Sequence, residues 1–243
     1  MTAQTDARYD SPDAINGVLL VDKPIGPTSH DIVHRIRKTF GIPKVGHGGT
    51  LDPMASGLLI ILLGKATKIS DRFLASDKTY EGSMTFGSTT DTLDAMGETL
   101  ETKPWQHITA EAIQHEMHQC RGDSMQMPPM TSAVKVAGVP LYKHARKGKT
   151  VERKARLIHV YRFDLLKYEP PVADFKLLCT KGTYVRVLAA DIGQALNAGA
   201  HLSRLRRTRS GKLDIQDAIP FHKLVELPRN ALEARVIPTK DFL

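Results

Sequence analysis

Hydrophobic residues along the chain fall into short runs separated by glycine, proline and charged positions, and their spacing predicts a mixture of strands and helices. Asn16 to Lys23 (NGVLLVDK) predicts a buried strand, which Pro24 stops and Gly26-Pro27 turns. Ser29 is placed to cap a helix in which Ile32, Val33, Ile36 and Phe40 follow at helical spacing, and Gly41 stands where such a helix ends. Val45 to Gly57 (VGHGGTLDPMASG) holds four glycines and a proline in thirteen residues, so it predicts a loop that runs into the apolar strand Leu58 to Leu63.

Lys78 to Phe86 alternates as a strand does. Thr109 can cap a helix reaching about Cys120, with Ile113 and Met117 on one face. Residues 123–154 show few apolar positions in any period, and Pro128-Pro129 forbids a helix at the start. This stretch predicts a long excursion from the core, basic at its far end. Two strands, about 157–168 and 173–179, flank Pro170-Pro171. A helix from Tyr184 to Asn197 turns Val185, Leu188, Ala189, Ile192 and Leu196 inward, with Gly199 after it. A short helix near Pro220 to Leu227 and a final extended piece close the chain. Strands and helices mix without strict alternation, which predicts an α+β fold. Residues 1–15 are expected to be a disordered leader, and no internal repeat is visible.

Composition narrows the class. The chain has 243 residues, 41% hydrophobic and 25% charged, an ordinary globular make-up that excludes collagenous, mucin-like and largely disordered proteins. The longest apolar run, Leu58 to Leu63, is too short to span a bilayer, so no membrane partner is expected. The first fourteen residues are polar with three Asp, unlike a signal or transit peptide. Cys120 and Cys179 make neither a disulfide framework nor a four-cysteine zinc site, and a reduced, cytoplasmic protein is expected. The net charge of +8 gains meaning from its distribution. Residues 143–156 hold seven Lys/Arg against the single Glu152, and residues 204–212 hold five with no acid. One basic run reads equally well as a solvated face, but two in one short chain favour phosphate contacts and a nucleic-acid partner.

Chemistry is harder to place. The loop at 45–57 presents His47 and Asp52, with Pro53 stiffening the chain beyond the carboxylate. Alone, it reads most simply as a tight turn with an incidental Asp. A dinucleotide fingerprint needs its glycines between a strand and a helix, whereas here a helix precedes and a strand follows, and no P-loop Lys-Ser/Thr pair is present. His30 and His34, and His115 and His118 near Cys120, are spaced as neighbours on helix faces. The run His115-Glu116-Met117-His118 brings its second histidine one residue too early for a zinc hydrolase, and further ligands are missing, so no metal is expected. No G-x-S-x-G elbow occurs. Asp52 with Asp94 would suit a glycosidase only at a separation that sequence does not give.

Taken in order, nine segments resemble the TruB family of bacterial tRNA pseudouridine synthases. They are Asn16–Pro24, Gly46–Pro53, Ala55–Gly57, Ser76–Tyr80, Thr90–Asp94, Gln126–Pro129, Ser132–Lys135, Lys181–Arg186 and Leu205–Arg207, spread over roughly residues 16–240. Each is weak alone; the ordered set is specific. The resemblance implies isomerisation of the uridine at position 55 in the T-loop of tRNA, on a mixed, largely antiparallel sheet flanked by helices. It implies that Asp52 is the catalytic carboxylate, and leaves open attack at C1′, attack at C6 and deprotonation at C2′. Arg186 is implied as its charge partner and Tyr80 as the aromatic that stacks on the flipped uracil. Tyr184 and Leu205 are implied as the lining of the base pocket, and His47 as the ring that fills the space of the extruded nucleotide. Lys23 and Pro24 match a bracing motif, and Asp94 an orienting carboxylate. The reaction rearranges the substrate's own atoms, so no cofactor is expected.

The same resemblance makes the excursion at 123–154 an RNA-gripping thumb. Gly48, where Thr or Ser is common, is expected to loosen the catalytic loop, and Thr131, where Tyr is common, to trim packing beneath the thumb. The close of the sequence, Ile237 to Leu243, matches the end of the catalytic domain, so no PUA domain is expected and a T-arm hairpin is expected to suffice as substrate; a monomer and no guide RNA are also expected. The rival readings are a synthase for another RNA and a tRNA-folding chaperone or RNA-binding protein without turnover.

Overall fold

The structure, a computed structural model, describes residues 15–136, 138–145 and 147–242. The leader expected at residues 1–15 lies outside them except for Ile15, which is buried. In chain order the strands are β1 (Gly17–Lys23), β2 (Val45–His47), β3 (Ala55–Leu63), β4 (Lys78–Phe86), β5 (Ser88–Thr90), β6 (Thr99–Thr102) and β7 (Gly122–Gln126). There follow β8 (Lys135–Val136), β9 (Val139–Pro140), β10 (Arg156–Glu169), β11 (Val172–Cys179), β12 (Ala200–Ser210), β13 (Leu213–Asp214) and β14 (Ile219–Pro220). The helices are α1 (Ser29–Phe40), α2 (Ser70–Ala75), α3 (Ala110–Gln119), α4 (Leu141–Ala145), α5 (Val185–Ala195), α6 (Phe221–Leu224) and α7 (Arg229–Glu233). The fold is α+β. No helix among the described residues is long and apolar enough to cross a membrane. Two compact units divide the chain, one of Met1–Ser76 with Arg206–Leu243 and one of Asp77–Leu205.

In the first unit the strands run in the order β14-β1-β3-β12, with β2 on β3 and β13 on β12. β1 lies antiparallel to β3, from Gly17 opposite Leu63 to Lys23 opposite Gly57, and parallel to β14. The continuous apolar composition of β1 and β3 follows from burial on both faces. Val18, Leu20, Leu58, Ile60 and Leu62 pack with Ala66 and Phe73, while Leu59, Ile61 and Leu63 on the alternate face are also fully buried.

Local chemistry redraws three predicted boundaries. Thr28, not Ser29, caps α1: its side chain accepts from the Asp31 N–H and the Asp31 carboxylate takes the Thr28 N–H, a reciprocal box. Ser29 is left free for a distant partner, described below. Gly41 ends α1 with φ 64°, as its position predicted. The segment read wholly as loop contains β2, and β3 begins at Ala55, before the predicted Leu58. Its glycines are needed for close approach as well as turning. A Cβ on Gly57, at φ +102°, would lie 2.3 Å from the Arg207 carbonyl oxygen where two strand backbones meet.

The second unit holds the order β12-β4-β11-β10-β7, antiparallel in each pair given by register. Alternation places Ala173, Phe175, Leu177 and Cys179 of β11 inside. α3 begins after its predicted Thr109 cap and buries Ile113 and Met117 completely. α5 buries Val185, Leu188, Ala189 and Ile192 of the predicted face together with Arg186, whereas Leu196, also predicted inward, is half-buried just past its last turn. The excursion is shorter than the reading at 123–154: residues through Gln126 form β7, paired to β10 from Arg156 opposite Gln126. What remains carries the small β8–β9 hairpin and α4. The final piece, expected extended, closes in a 3₁₀ turn over Thr239–Phe242. α2 and α7 are too short for periodicity to reveal.

Gly48 is buried and its loop is tight, contrary to the expectation of looseness. Its N–H donates to the Ile60 carbonyl at 2.8 Å. A Cβ there would lie 2.6 Å from that of Phe73, whose ring meets Phe242 edge-on. The space of a larger residue is already filled by Phe73. Gly48→Thr is therefore expected to lower stability by about 1–3 kcal/mol through overpacking. Urea unfolding checks this, and an unchanged midpoint would show that Phe73 yields without strain.

Candidate active site

Asp52 lies half-buried in a turn whose backbone is fixed on every side. Its carbonyl accepts the Ala55 N–H at 3.0 Å, and the Pro53 carbonyl accepts the Gly26 N–H at 2.9 Å. On the preceding residue, the Ser29 hydroxyl takes the Leu51 N–H at 2.8 Å and donates to the Leu51 carbonyl at 3.1 Å. The residue predicted to cap α1 thus anchors the chain beside Asp52. Arg207 completes the frame. It is 2% exposed, and its guanidinium donates to the carbonyls of Leu58 at 2.8 Å, Gly49 at 3.1 Å and Thr50 at 3.4 Å.

Lys23 and His47 share this environment. The Lys23 ammonium is fully buried and donates to the carbonyls of Pro24 and Pro27, each at 2.8 Å. Burial pushes its pKa down to about 8; the charge of Asp52 opposes this and that of Arg207 adds to it. His47 is held below its ordinary pKa by burial, with Arg207 and His30 acting in the same direction. Its Nδ1 accepts the Gly49 N–H at 3.4 Å, which leaves Nε2 to carry the proton of a neutral ring. Lys23, His47 and Asp52 are thus brought together in one unit.

The second unit gathers another group. The Arg186 guanidinium is 4% exposed at the start of α5 and reaches two segments distant in sequence. Nη1 lies 2.6 Å from the Thr131 hydroxyl, 3.3 Å from the Thr92 carbonyl and 3.7 Å from the Asp94 carboxylate, and Nη2 lies 3.3 Å from the Thr131 carbonyl. Asp94 is itself held, accepting from the Thr92 hydroxyl at 2.7 Å and the Met96 N–H at 3.0 Å. Tyr184 precedes α5, and its ring centroid lies 5.9 Å from the Arg186 guanidinium carbon. Gln126 fixes the Tyr184 backbone, accepting its N–H at 2.7 Å and donating to its carbonyl at 3.1 Å. Half-buried Tyr80 stands on β4 opposite Leu177, and Leu205 is buried on β12.

The two basic runs part company. On the run at 204–212, Arg206 pairs with Asp22 through two bonds of 2.7 and 3.0 Å, Arg204 with Asp174, Arg209 with Asp214, and Arg207 is internal. Arg207 is thereby withdrawn from the phosphate surface, because strand alternation puts it on the same inner side as Leu205, while Arg204, Arg209 and Lys212 stay exposed. The other run keeps Lys143, Lys147, Lys149, Lys154 and Arg156 exposed. Among the described residues no three His, Cys, Asp or Glu side chains cluster as metal ligands.

Comparison with known proteins decides the family. The model described as TruB family pseudouridylate synthase (N terminal domain) matches residues 37–185, and that of the tRNA pseudouridylate synthase B C-terminal domain matches 186–243. The chain belongs to the TruB family of pseudouridylate synthases. It is 51% identical over 224 residues to tRNA pseudouridine synthase B of Opitutus terrae, covering 92% of this chain and 93% of that one. It is 49% identical over 210 residues to the protein of the same name from Syntrophotalea carbinolica, covering 86% and 69%. Among solved structures it is similar to a Cbf5-Nop10-Gar1 complex, at 30% identity and TM-score 0.73 over 95% of this chain. An H/ACA RNP bound to a substrate RNA containing 2′-deoxyuridine matches at 29% identity and TM-score 0.70 over 93%. The chain spans 66% and 60% of the length of those two solved chains.

Within this TruB-family framework, sequence reasoning missed Ser29, Gln126 and Arg207 as supports. None has a local signal, because each acts on a backbone segment far away in sequence.

Lys23 gives a pH signature. A basic group whose pKa falls on folding binds its proton more tightly in the unfolded chain, so stability rises with pH between about 8 and 10.5. In Lys23→Met that contribution disappears. Urea unfolding across this window is expected to show a steeper rise in the parent than in the variant, and identical slopes would return Lys23 to its ordinary pKa.

Proposed function

We propose that the chain isomerises uridine to pseudouridine at position 55 in the T-loop of tRNA, acting in the cytoplasm as a single chain on one RNA. The observation that carries the reading is the 51% identity, over 92% of the chain, to a relative named tRNA pseudouridine synthase B. The braced setting of Asp52 supports it. The relatives named for tRNA are 51% and 49% identical, against 30% and 29% for the ribonucleoprotein structures, which favours tRNA itself over a guide-bound substrate.

The chemistry asks for little beyond what is present. The bond from uracil N1 to ribose C1′ breaks, the base turns, and C5 bonds to C1′. The C5 proton leaves to water and N1 gains one, so atoms balance without an external donor. Asp52 is the carboxylate that acts on the loosened bond, and Arg186 supplies a fixed positive charge to the reaction. Tyr80 stacks on the flipped base, Tyr184 and Leu205 line its pocket, and Asp94 orients Arg186. Lys23 braces the Asp52 turn. A neutral His47 suits insertion into the T-loop, because a planar uncharged ring replaces stacking lost on flipping. The basic segment from Lys143 to Lys154 grips phosphates of the T-arm, while shape and flipped bases supply specificity.

Tritium release tests this most simply. RNA labelled at uridine C5 is supplied as full tRNA or as a T-arm hairpin, each also with cytidine at position 55. Release from both RNAs, lost on the cytidine change, is expected. Binding without release from either would make the chain an RNA-binding protein without turnover, and release insensitive to position 55 would move it to another uridine.

A further inference from the structure

Arg186 carries its charge in a nearly dry environment, where a guanidinium keeps one orientation only if acceptors are fixed around it. The acceptors differ in how they are held. Thr92 and Asp94 belong to one tight turn, closed by the Thr90 hydroxyl on the Asp94 carbonyl at 2.8 Å and by the Asp94 carboxylate on the Met96 N–H. Thr131 belongs to a different segment and supplies both the shortest contact, 2.6 Å through its hydroxyl, and a second through its carbonyl. Its hydroxyl and its carbonyl both face the guanidinium, one on each terminal nitrogen.

The segment that carries Thr131 is itself anchored. The carbonyl of neighbouring Ser132 accepts the Tyr142 N–H at 3.0 Å, and that of Val134 accepts the Leu141 N–H at 2.8 Å. Leu141 is fully buried. Thr131 is thereby joined through two backbone bonds to the start of α4, which bears exposed Lys143 and leads to Lys147 and Lys149. Read as a residue that trims packing, Thr131 is instead a hydrogen-bonding partner of the site's arginine.

We propose that Thr131 is a positioning residue: its hydroxyl fixes the Arg186 guanidinium in the orientation the reaction uses, and ties that orientation to the basic segment. The inference rests on the proposed role of Arg186 in uridine isomerisation. The Thr131 hydroxyl is engaged by the Arg186 guanidinium, so it acts on the rate through that side chain.

The test compares Thr131→Val, which keeps shape and removes the hydroxyl, with Thr131→Ser, which keeps the hydroxyl. Single-turnover tritium release is measured at saturating tRNA, and affinity separately by filter binding. A hydrogen bond to a charged group is worth enough that Val is expected to slow release by about tenfold or more. Affinity is expected to stay within about twofold, and Ser to restore the rate to within about threefold of the parent. Should Val fail to fold, Thr131→Ala takes its place with the same expectation. Full-speed release by the hydroxyl-free variant overturns the inference, as does equal slowing by Val and Ser, which would assign the effect to volume. Arg186→Lys separates the two levels. If it is slow while Thr131→Val is fast, only the positioning role fails. If Arg186→Lys is as fast as the parent, the role of Arg186 fails and the inference with it.

Discussion

A fully buried guanidinium holds the loop that carries Asp52. Arg207 donates to the carbonyls of Gly49, Thr50 and Leu58, so the loop lacks its shape without the arginine, and the arginine lacks partners without the loop. A buried cation is tolerable only when hydrogen-bonded, and the buried carbonyls of Leu58 and Gly49 gain a donor from it in turn. Gly57 permits the arrangement, because any side chain there would strike the Arg207 backbone. The same charge helps to hold His47 neutral and adds to the lowered pKa of Lys23. Burial is the larger cause for both groups, and Arg207 adds to it while it fixes the loop.

The second unit repeats the device with other parts. Arg186 is also buried, and it also collects segments far apart in sequence: the turn at Thr92–Asp94 and the root of the excursion at Thr131. Gln126 does the corresponding work on the backbone of Tyr184. In both units a cation inside the fold converts loops, which would otherwise sample many conformations, into fixed platforms for side chains. That is the property a rearrangement without cofactor needs, since positioned charge is the protein's main contribution.

The sequence was informative where one element carries its own signal. The helical spacing of Ile113 and Met117, the left-handed end at Gly41 and the inward face of α5 were all legible, as was the ordered motif set that led to the TruB family. Legibility failed where a residue's partner is distant. Ser29 reads as a helix cap because nothing nearby reveals Leu51, twenty-two positions on. Arg207 reads as one more solvent cation in a basic run, because no strand is predicted over 200–210, where it turns to the same inner face as Leu205. Gly48 reads as freedom because Phe73, which fills its space, lies on a helix too short to show a period.

The account turns on one carboxylate, whose shape and charge can be separated. Asp52→Asn keeps the side chain's size in a turn whose backbone is fixed by other residues, and removes the charge. Single-turnover conversion of tRNA, with binding measured in parallel, is the direct test. The account predicts a loss of rate of about a thousandfold or more with affinity changed by no more than a few fold. Conversion by the Asn variant at close to the parental rate would contradict it.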